Sequence, residues 1–259
     1  MLHRRELTTI DGTGDACAHA PSMKILTWNV NHRTRRKAIP LGLGEAIGAL
    51  APDLVVLTEY VPSNSHGSFI GALGTIGLLH TAISVDVPKE NRVLIASRWS
   101  LVDGDIHTPA IAPSVPSNLL HVHVPDGGFD VLGLRIPDYS KQPAIRRKCW
   151  DWLLSTARTM AERPLVIIGD LNTDPRYTSA RCGDRIGQLV DAGFTHASPT
   201  QGASYWTLNG HGVQIDHAFT SRSFTVLSAE YVTQVGKHIL VGKREAYSDH
   251  AALLVDVVK

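Results

Sequence analysis

The chain has 259 residues, of which 43% are hydrophobic and 19% charged, which supplies a full core and excludes a disordered protein. A formal charge of +1 and a pI near 7.9 exclude a global field that demands a polyanionic partner, although local basic patches can still guide one. Three cysteines, Cys17, Cys149 and Cys182, odd in number and without a CxxC pair, argue against a disulfide framework or a thiolate zinc site and suit a reduced cytoplasmic location.

Residues 1–22 carry basic side chains with no apolar stretch behind them, which reads as a mobile extension and neither a secretory signal nor an anchor. No apolar run nears the ~18 residues of a membrane span, so no membrane partner is expected. From 23 to 259, short apolar runs broken by Gly, Pro, Asn and Asp predict one strand-rich domain. Strands are expected at 24–30, 53–59, 78–85, 92–97, 118–124, 129–136, 164–170, 213–221, 224–232 and 251–258. Helices fit 41–50, 67–75, 142–161 and 181–192. The longest puts Ile145, Cys149, Trp152, Leu153 and Thr156 on one side at helical spacing and should lie against a sheet. The DGG at 126–128 reads as a hairpin turn between two of the strands. With no repeat or linker after residue 23, strands from both halves should stack as two sheets with helices outside.

Polar groups follow several of these strands, and a rigid ladder that releases side chains into a loop is a recurring way to hold a site. ILTW runs into Asn29 and Asn31, LVVLT into Glu59, and LVIIG into Asp170, Asn172 and then Asp174; a late YSDH offers Asp249 and His250. Each has a plainer reading: turn residues for Asn29 and Asn31, a strand reaching solvent for Glu59, an Asx turn for GDLN, capping for Ser248 and Asp249. Singly none decides. Their order along the chain does.

WN, a strand-final Glu, GDLN, ID and SDH, in that order, resemble the endonuclease/exonuclease/phosphatase family of deoxyribonuclease I-like fold, whose members include apurinic endonucleases. The likeness spans roughly residues 23–258. RVLIASRW (92–99) looks like the family's strand ending in Ser-Arg, SYWT (204–207) its Ser/Thr-aromatic element, and VQIDHAFTS (213–221) its late Asp-bearing strand. The resemblance implies a four-layer α/β/β/α sandwich and metal-dependent hydrolysis of phosphate esters. Because the phosphate oxygens repel a nucleophile, the catalyst must neutralise charge and generate a hydroxide-like water; carboxylates and carboxamides suit Mg²⁺ or Mn²⁺ for that task.

Glu59 is the leading metal ligand, and the resemblance places Asn29, Asn31 and Asp249 beside the ion, directly or through water. Relatives often carry Asp where this chain has Asn31, and a neutral amide should weaken Mg²⁺ affinity. Asp170 would orient or deprotonate the attacking water, Asn172 donate to a phosphoryl oxygen, and Asp216 hold His250 in one tautomer, as base or as protonated clamp. Apurinic endonucleases place tyrosine where GLRIPDY has Arg135, so Arg135 is assigned to transition-state or leaving-group stabilisation, with Tyr139 as substitute.

HRTRRK (32–37) sets Arg33, Arg35 and Arg36 next to the expected ion, either as an ordinary solvated loop or as a phosphate-backbone grip that RRK (146–148) and GKRE (242–245) would widen. Trp99, Tyr205 and Trp206 offer stacking faces, Trp206 with the alternative of packing beneath the site. Three readings follow: a nuclease or related phosphodiesterase acting as a monomer on nucleic acid; a phosphomonoesterase or lipid/inositol-phosphate hydrolase on the same scaffold; and a catalytically silent binding module.

Overall fold

The computed structural model describes residues 22–31, 39–138, 142–243 and 245–259. Arg33, Arg35, Arg36, Tyr139, Arg244 and the expected extension up to residue 21 lie outside the described residues. In chain order the first half contributes β1 (Met23–Asn29), α1 (Leu41–Leu50), β2 (Leu54–Tyr60), α2 (His66–Thr75), β3 (His80–Ile83), β4 (Arg92–Ser97), β5 (Val102–Asp103), β6 (Leu119–Val124) and β7 (Phe129–Arg135). The second half contributes α3 (Pro143–Met160), β8 (Leu165–Asp170), α4 (Asp184–Asp191), β9 (Thr195–His196), β10 (Tyr205–Trp206), β11 (Gly212–Val213), β12 (Asp216–Thr220), β13 (Thr225–Val232), β14 (Gln234–Val235), β15 (His238–Ile239) and β16 (Ala252–Val258). Two six-stranded sheets result, in the orders β13-β16-β1-β2-β4-β3 and β5-β6-β7-β8-β12-β9. No helix among the described residues is long and apolar enough to cross a membrane.

Alternation of side chains along each strand produces the four layers. Ile25, Val56 and Ile95 of one sheet meet Val131, Val166 and Ile168 of the other in the inner core. Their neighbours Leu26, Val55, Leu57 and Leu94 face outward under α1 and α2, and Leu132 and Ile167 face outward under α3 and α4. Strands covered on both faces read as the unbroken apolar runs seen in the sequence. The sheets approach closely at Gly133, where a Cβ would sit 2.8 Å from the Val56 methyl Cγ1.

Several expectations are corrected in detail. The buried face of α3 is Arg146, Cys149, Trp150, Leu153, Leu154 and Ala157, so it is turned toward Trp150, and Trp152 and Thr156 sit at its margin. Arg146 therefore belongs to the interior and not to a surface track. Residues 212–213 pair with Tyr205–Trp206 as a separate hairpin, and the long strand starts only at Asp216. Trp99 packs edge-on against Phe129, 6.2 Å between centroids, just past Ser97, which pairs with Leu54 at the end of β2 away from Glu59. It is at the wrong end of the sandwich to meet a substrate held at Glu59.

Topology places the polar residues together. β1 and β2 run parallel, as do β7 and β8, so Asn29 and Glu59 end one pair and Arg135 and Asp170, which are register partners, end the other. Asp216 opens the antiparallel β12 directly opposite Asp170. His250 precedes β16, which is antiparallel to β1, and so arrives at the same edge. At Gly169 the chain has φ 145°, and a Cβ there would lie 2.0 Å from the Leu134 carbonyl oxygen, so only glycine permits strand pairing this close to Asp170.

The loop after β8 is tied down by buried donors. The Arg146 guanidinium donates to the carbonyls of Asn172 and Arg181 and to Thr173 Oγ1 (2.6 Å), and Trp150 Nε1 reaches the same hydroxyl at 3.1 Å. His217 Nε2 donates to the Thr173 carbonyl (2.7 Å), so its Nδ1 accepts from His196 Nε2 (3.0 Å); burial lowers both pKa values and keeps the pair neutral. Asp174 turns away from the polar edge and accepts from the Arg176 guanidinium and the Gln214 amide (2.8 Å), linking this loop to the segment that leads into Asp216. Burial works against its charge, but the bonds from Arg176 and Gln214 outweigh it and hold the carboxyl below its usual range.

Gly169→Ala should cost about 3 kcal/mol or more in urea denaturation, because the added carbon must displace backbone; a loss under about 1 kcal/mol would contradict the close approach. Asp174→Asn should cost about 1–3 kcal/mol at neutral pH. Because its pKa is depressed on folding, that contribution exists above the unfolded value of ~4 and fades as pH falls through the folded one. The gap between wild type and variant should therefore close in acid, and a gap constant with pH would refute the assignment.

Candidate active site

Asn29 Nδ2 donates to Asp170 Oδ2 at 2.8 Å, crossing from one sheet to the other. Arg135 Nε lies 2.8 Å from Glu59 Oε1 and 3.7 Å from Asp170 Oδ2, an ion pair that also bridges the sheets. Asp170 Oδ1 accepts the Asn172 backbone N–H (2.9 Å), and Asn172 Nδ2 donates to Asp170 Oδ2 (3.0 Å) and to the Ile136 carbonyl (2.9 Å). Both amide protons of Asn172 are thus engaged, so in this arrangement it orients Asp170 and reaches a phosphoryl oxygen only by releasing a bond. His250 Nδ1 and Asp216 Oδ2 are 2.7 Å apart, and one ligand atom from each of Asp170, Asp216 and His250 lies within 4.8 Å of the others.

Unusual backbone conformations gather at this edge. Asn31, Glu59 and Asn172 have φ of 50°, 52° and 49°. The left-handed region is tolerable for Asn and costs a residue such as Glu on the order of 1 kcal/mol. Glu59 sits where the β2–β4 register slips between Leu57 and Tyr60, and such a bulge re-aims the side chain. Asn31 N–H in turn donates to Asn29 Oδ1 (2.8 Å), which fixes the amide face that Asn29 presents to Asp170.

Electrostatics follow from burial and sign. Burial first, and then the Asp216 carboxylate, push Asp170 above the usual carboxylate range despite the pull of His250 and Arg135. Burial alone would strip His250 of its proton, but the charge and hydrogen bond of Asp216, with Asp170, raise it to about 9. Burial likewise opposes the Arg135 charge, and Glu59 and Asp170 more than restore it. Arg135 and His250 are shared among the carboxylates of Glu59, Asp170, Asp216 and Asp249, so acidic groups crowd this edge. The buried atoms Asp216 Oδ1 and Asp249 Oδ1 find no hydrogen-bond partner among the described residues. Crowded carboxylates with orphaned hard oxygens fit a divalent cation with oxygen ligands.

Asp249, His250 and Asn172 line a cleft of about 580 Å³. Trp206 lies beyond it, 39% exposed, and does not pack beneath the site. Several supporting residues escaped sequence reasoning. Ser204 Oγ accepts from the Asp216 N–H (3.1 Å), Ser248 Oγ donates to the Asn29 carbonyl (2.6 Å) and accepts from the His250 N–H (3.0 Å), and Trp28 Nε1 donates to the His250 carbonyl (2.9 Å). Ser204 and Trp28 fell within the quoted SYWT and WN motifs without a role, and Ser248 had a local signal, as a hydroxyl two residues ahead of the amide it binds. Arg181, stacked on Tyr177 at 3.7 Å, also lines the cleft.

The sequence matches the profile of the Endonuclease/Exonuclease/phosphatase family over residues 26–250. No curated protein matches it. Among solved structures, an endonuclease/exonuclease/phosphatase from Beutenbergia cavernae DSM 12333 superposes with a TM-score of 0.68 at 20% identity, over 92% of this chain and 71% of that one. The 3′ phosphatase NExo from Neisseria, a single-substitution variant bound to product DNA hairpin, gives 0.67 at 21% identity, and the 3′–5′ exonuclease NExo from Neisseria meningitidis 0.66 at 21%; each match covers 90% of this chain and 98% of the other. The fold is that of these proteins, and with the profile spanning most of its length the chain belongs to the endonuclease/exonuclease/phosphatase family of phosphoester hydrolases.

Proposed function

We propose that this phosphoester hydrolase is a divalent-cation-dependent nuclease that cleaves phosphodiester bonds with an activated water. The observation that carries the reading is the approach of Asp170, Asp216 and His250 to within 4.8 Å beside the Arg135 guanidinium. A carboxylate whose affinity for protons is raised is suited to take one from water near neutral pH. In this reading Asp170 accepts that proton as the water oxygen attacks phosphorus, and the ester P–O bond breaks with its electrons leaving on oxygen. Protonated His250, held by Asp216, and Arg135, held by Glu59, then face the negative charge that develops on the phosphoryl and leaving oxygens. The raised pKa of His250 favours clamp over base. Asn29 and Asn172 keep Asp170 aimed.

Glu59 and Asp249 would hold Mg²⁺ or Mn²⁺, with Asn29 and Asn31 alongside; when bound, the ion supplies charge neutralisation and lowers the pKa of water. Nucleic acid is favoured as substrate because Arg181 borders the cleft and Lys243 lines the groove beside it, cations suited to a polyanion's phosphates, and the sequence adds Arg33, Arg35 and Arg36 shortly after Asn31.

Labelled single-stranded, nicked, abasic and 3′-phosphorylated DNA and RNA, incubated with Mg²⁺ or Mn²⁺, should be cut, and EDTA should stop the reaction. Asp170→Asn and His250→Asn should each lower kcat by ~10²–10⁴ while remaining folded. Arg135→Lys should lose activity as well, since an ammonium cannot keep one nitrogen toward Glu59 and Asp170 while offering others to a phosphate. Turnover restricted to sugar, lipid or inositol phosphates would refute the nucleic-acid substrate, and EDTA-resistant turnover would refute the cation.

A further inference from the structure

The β10–β11 hairpin separates two cavities. One is the cleft of about 580 Å³ at His250. The other is a groove of about 780 Å³ on the far side, between the hairpin and the segment that carries Val241 and Lys243. Tyr205, Thr207, Leu208 and Asp249 border both, so the groove begins where the cleft ends. Tyr205, whose ring centroid lies 5.1 Å from that of His250, is the partition.

Among the described residues, nothing covers this wall. Trp206 is 39% exposed and Leu208, at the hairpin tip, 92% exposed. An indole with an aliphatic neighbour offers a flat apolar platform, and Thr207, Thr233, Lys243 and Asp249 put donors and acceptors around its edge. The volume falls within the ~300–1,000 Å³ of small-molecule sites.

We infer that this groove seats an unstacked nucleobase of the nucleotide next to the scissile phosphate. The inference rests on the nuclease reading and narrows its substrate to single-stranded or frayed nucleic acid. A base inside a duplex is paired and stacked on both faces, so reaching Trp206 would require extruding it, whereas a base in a single strand has a free face for the indole. Lys243 complements the phosphate of that nucleotide. An acyl chain would match the apolar wall but leave Thr233 and Lys243 unmatched.

The test is fluorescence anisotropy of a short labelled strand binding to Asp170→Asn, which reads binding without turnover. Base-bearing single strand should bind more tightly than the same strand carrying abasic sites and more tightly than duplex. Adding Trp206→Ala should raise Kd for the base-bearing strand ~10-fold and narrow its advantage over the abasic strand by a similar factor. Trp206→Phe should restore most of the loss, and Leu208→Ala should act in the same direction as Trp206→Ala but less. Circular dichroism of each variant checks that the fold is intact. Equal affinity for base-bearing and abasic strands, or a Kd indifferent to Trp206, overturns the inference, as does capture of phosphatidylcholine vesicles in place of the strand. Trp206-dependent binding without cleavage by wild type would sink the nuclease reading and support the groove; cleavage without Trp206 dependence would sink the groove alone.

Discussion

The hydrogen bond from Asn29 to Asp170, with the Arg135–Glu59 ion pair beside it, joins the two sheets at their polar edge. Everything else at the site depends on that closure. Apolar contacts bring the sheets together without saying how far one slides along the other, whereas buried groups that must find partners permit few relative positions. An arginine shared between carboxylates of opposite sheets is costly to desolvate and tolerable only with both acids in reach.

Around this closure the molecule separates the groups that meet a substrate from those that aim them. Asp170 accepts from the Asn29 amide and from both the backbone and the side chain of Asn172. The loop behind it is held by Arg146, Trp150 and His217, all from beneath the surface. Held on several sides, the carboxylate has a fixed direction, which the proposed role of base to a small nucleophile requires. The left-handed conformation at Glu59 follows the same logic: local strain is accepted where the surrounding ladder over-determines it.

The hairpin at 205–213 stands between two cavities. It contributes Tyr205 to the wall of the reacting cleft and Trp206 and Leu208 to a groove outside it. Under the proposed reading, chemistry and recognition lie on two faces of one short element, so its sequence could alter what binds while the sheets that carry Asp170 and Asp216 stay as they are.

Much of this was legible in the sequence. Short apolar runs ending in GD, TE and WN announced buried strands that deliver polar groups, because a strand covered on both faces must be apolar throughout and can change character only at its end. Strand 92–97 and helix 41–50 follow directly from such local patterns. Other features were decided by the tertiary structure. Arg146 looked like a surface cation because no pattern along a helix tells which interior groups will need a donor; the carbonyls of Asn172 and Arg181 supply that need from 26 and 35 residues away. Asp174 looked like a third member of the acidic cluster, and only packing turned it toward Arg176 and Gln214. The chain by itself determined which residues lie at strand ends and which strands are buried, since both follow from local polarity. Which strand ends share an edge, and therefore that Asp170 faces Asp216 and Asn29 across two sheets, required the pairing of strands far apart in sequence, where the loss of backbone solvation is balanced only once the whole ladder has formed.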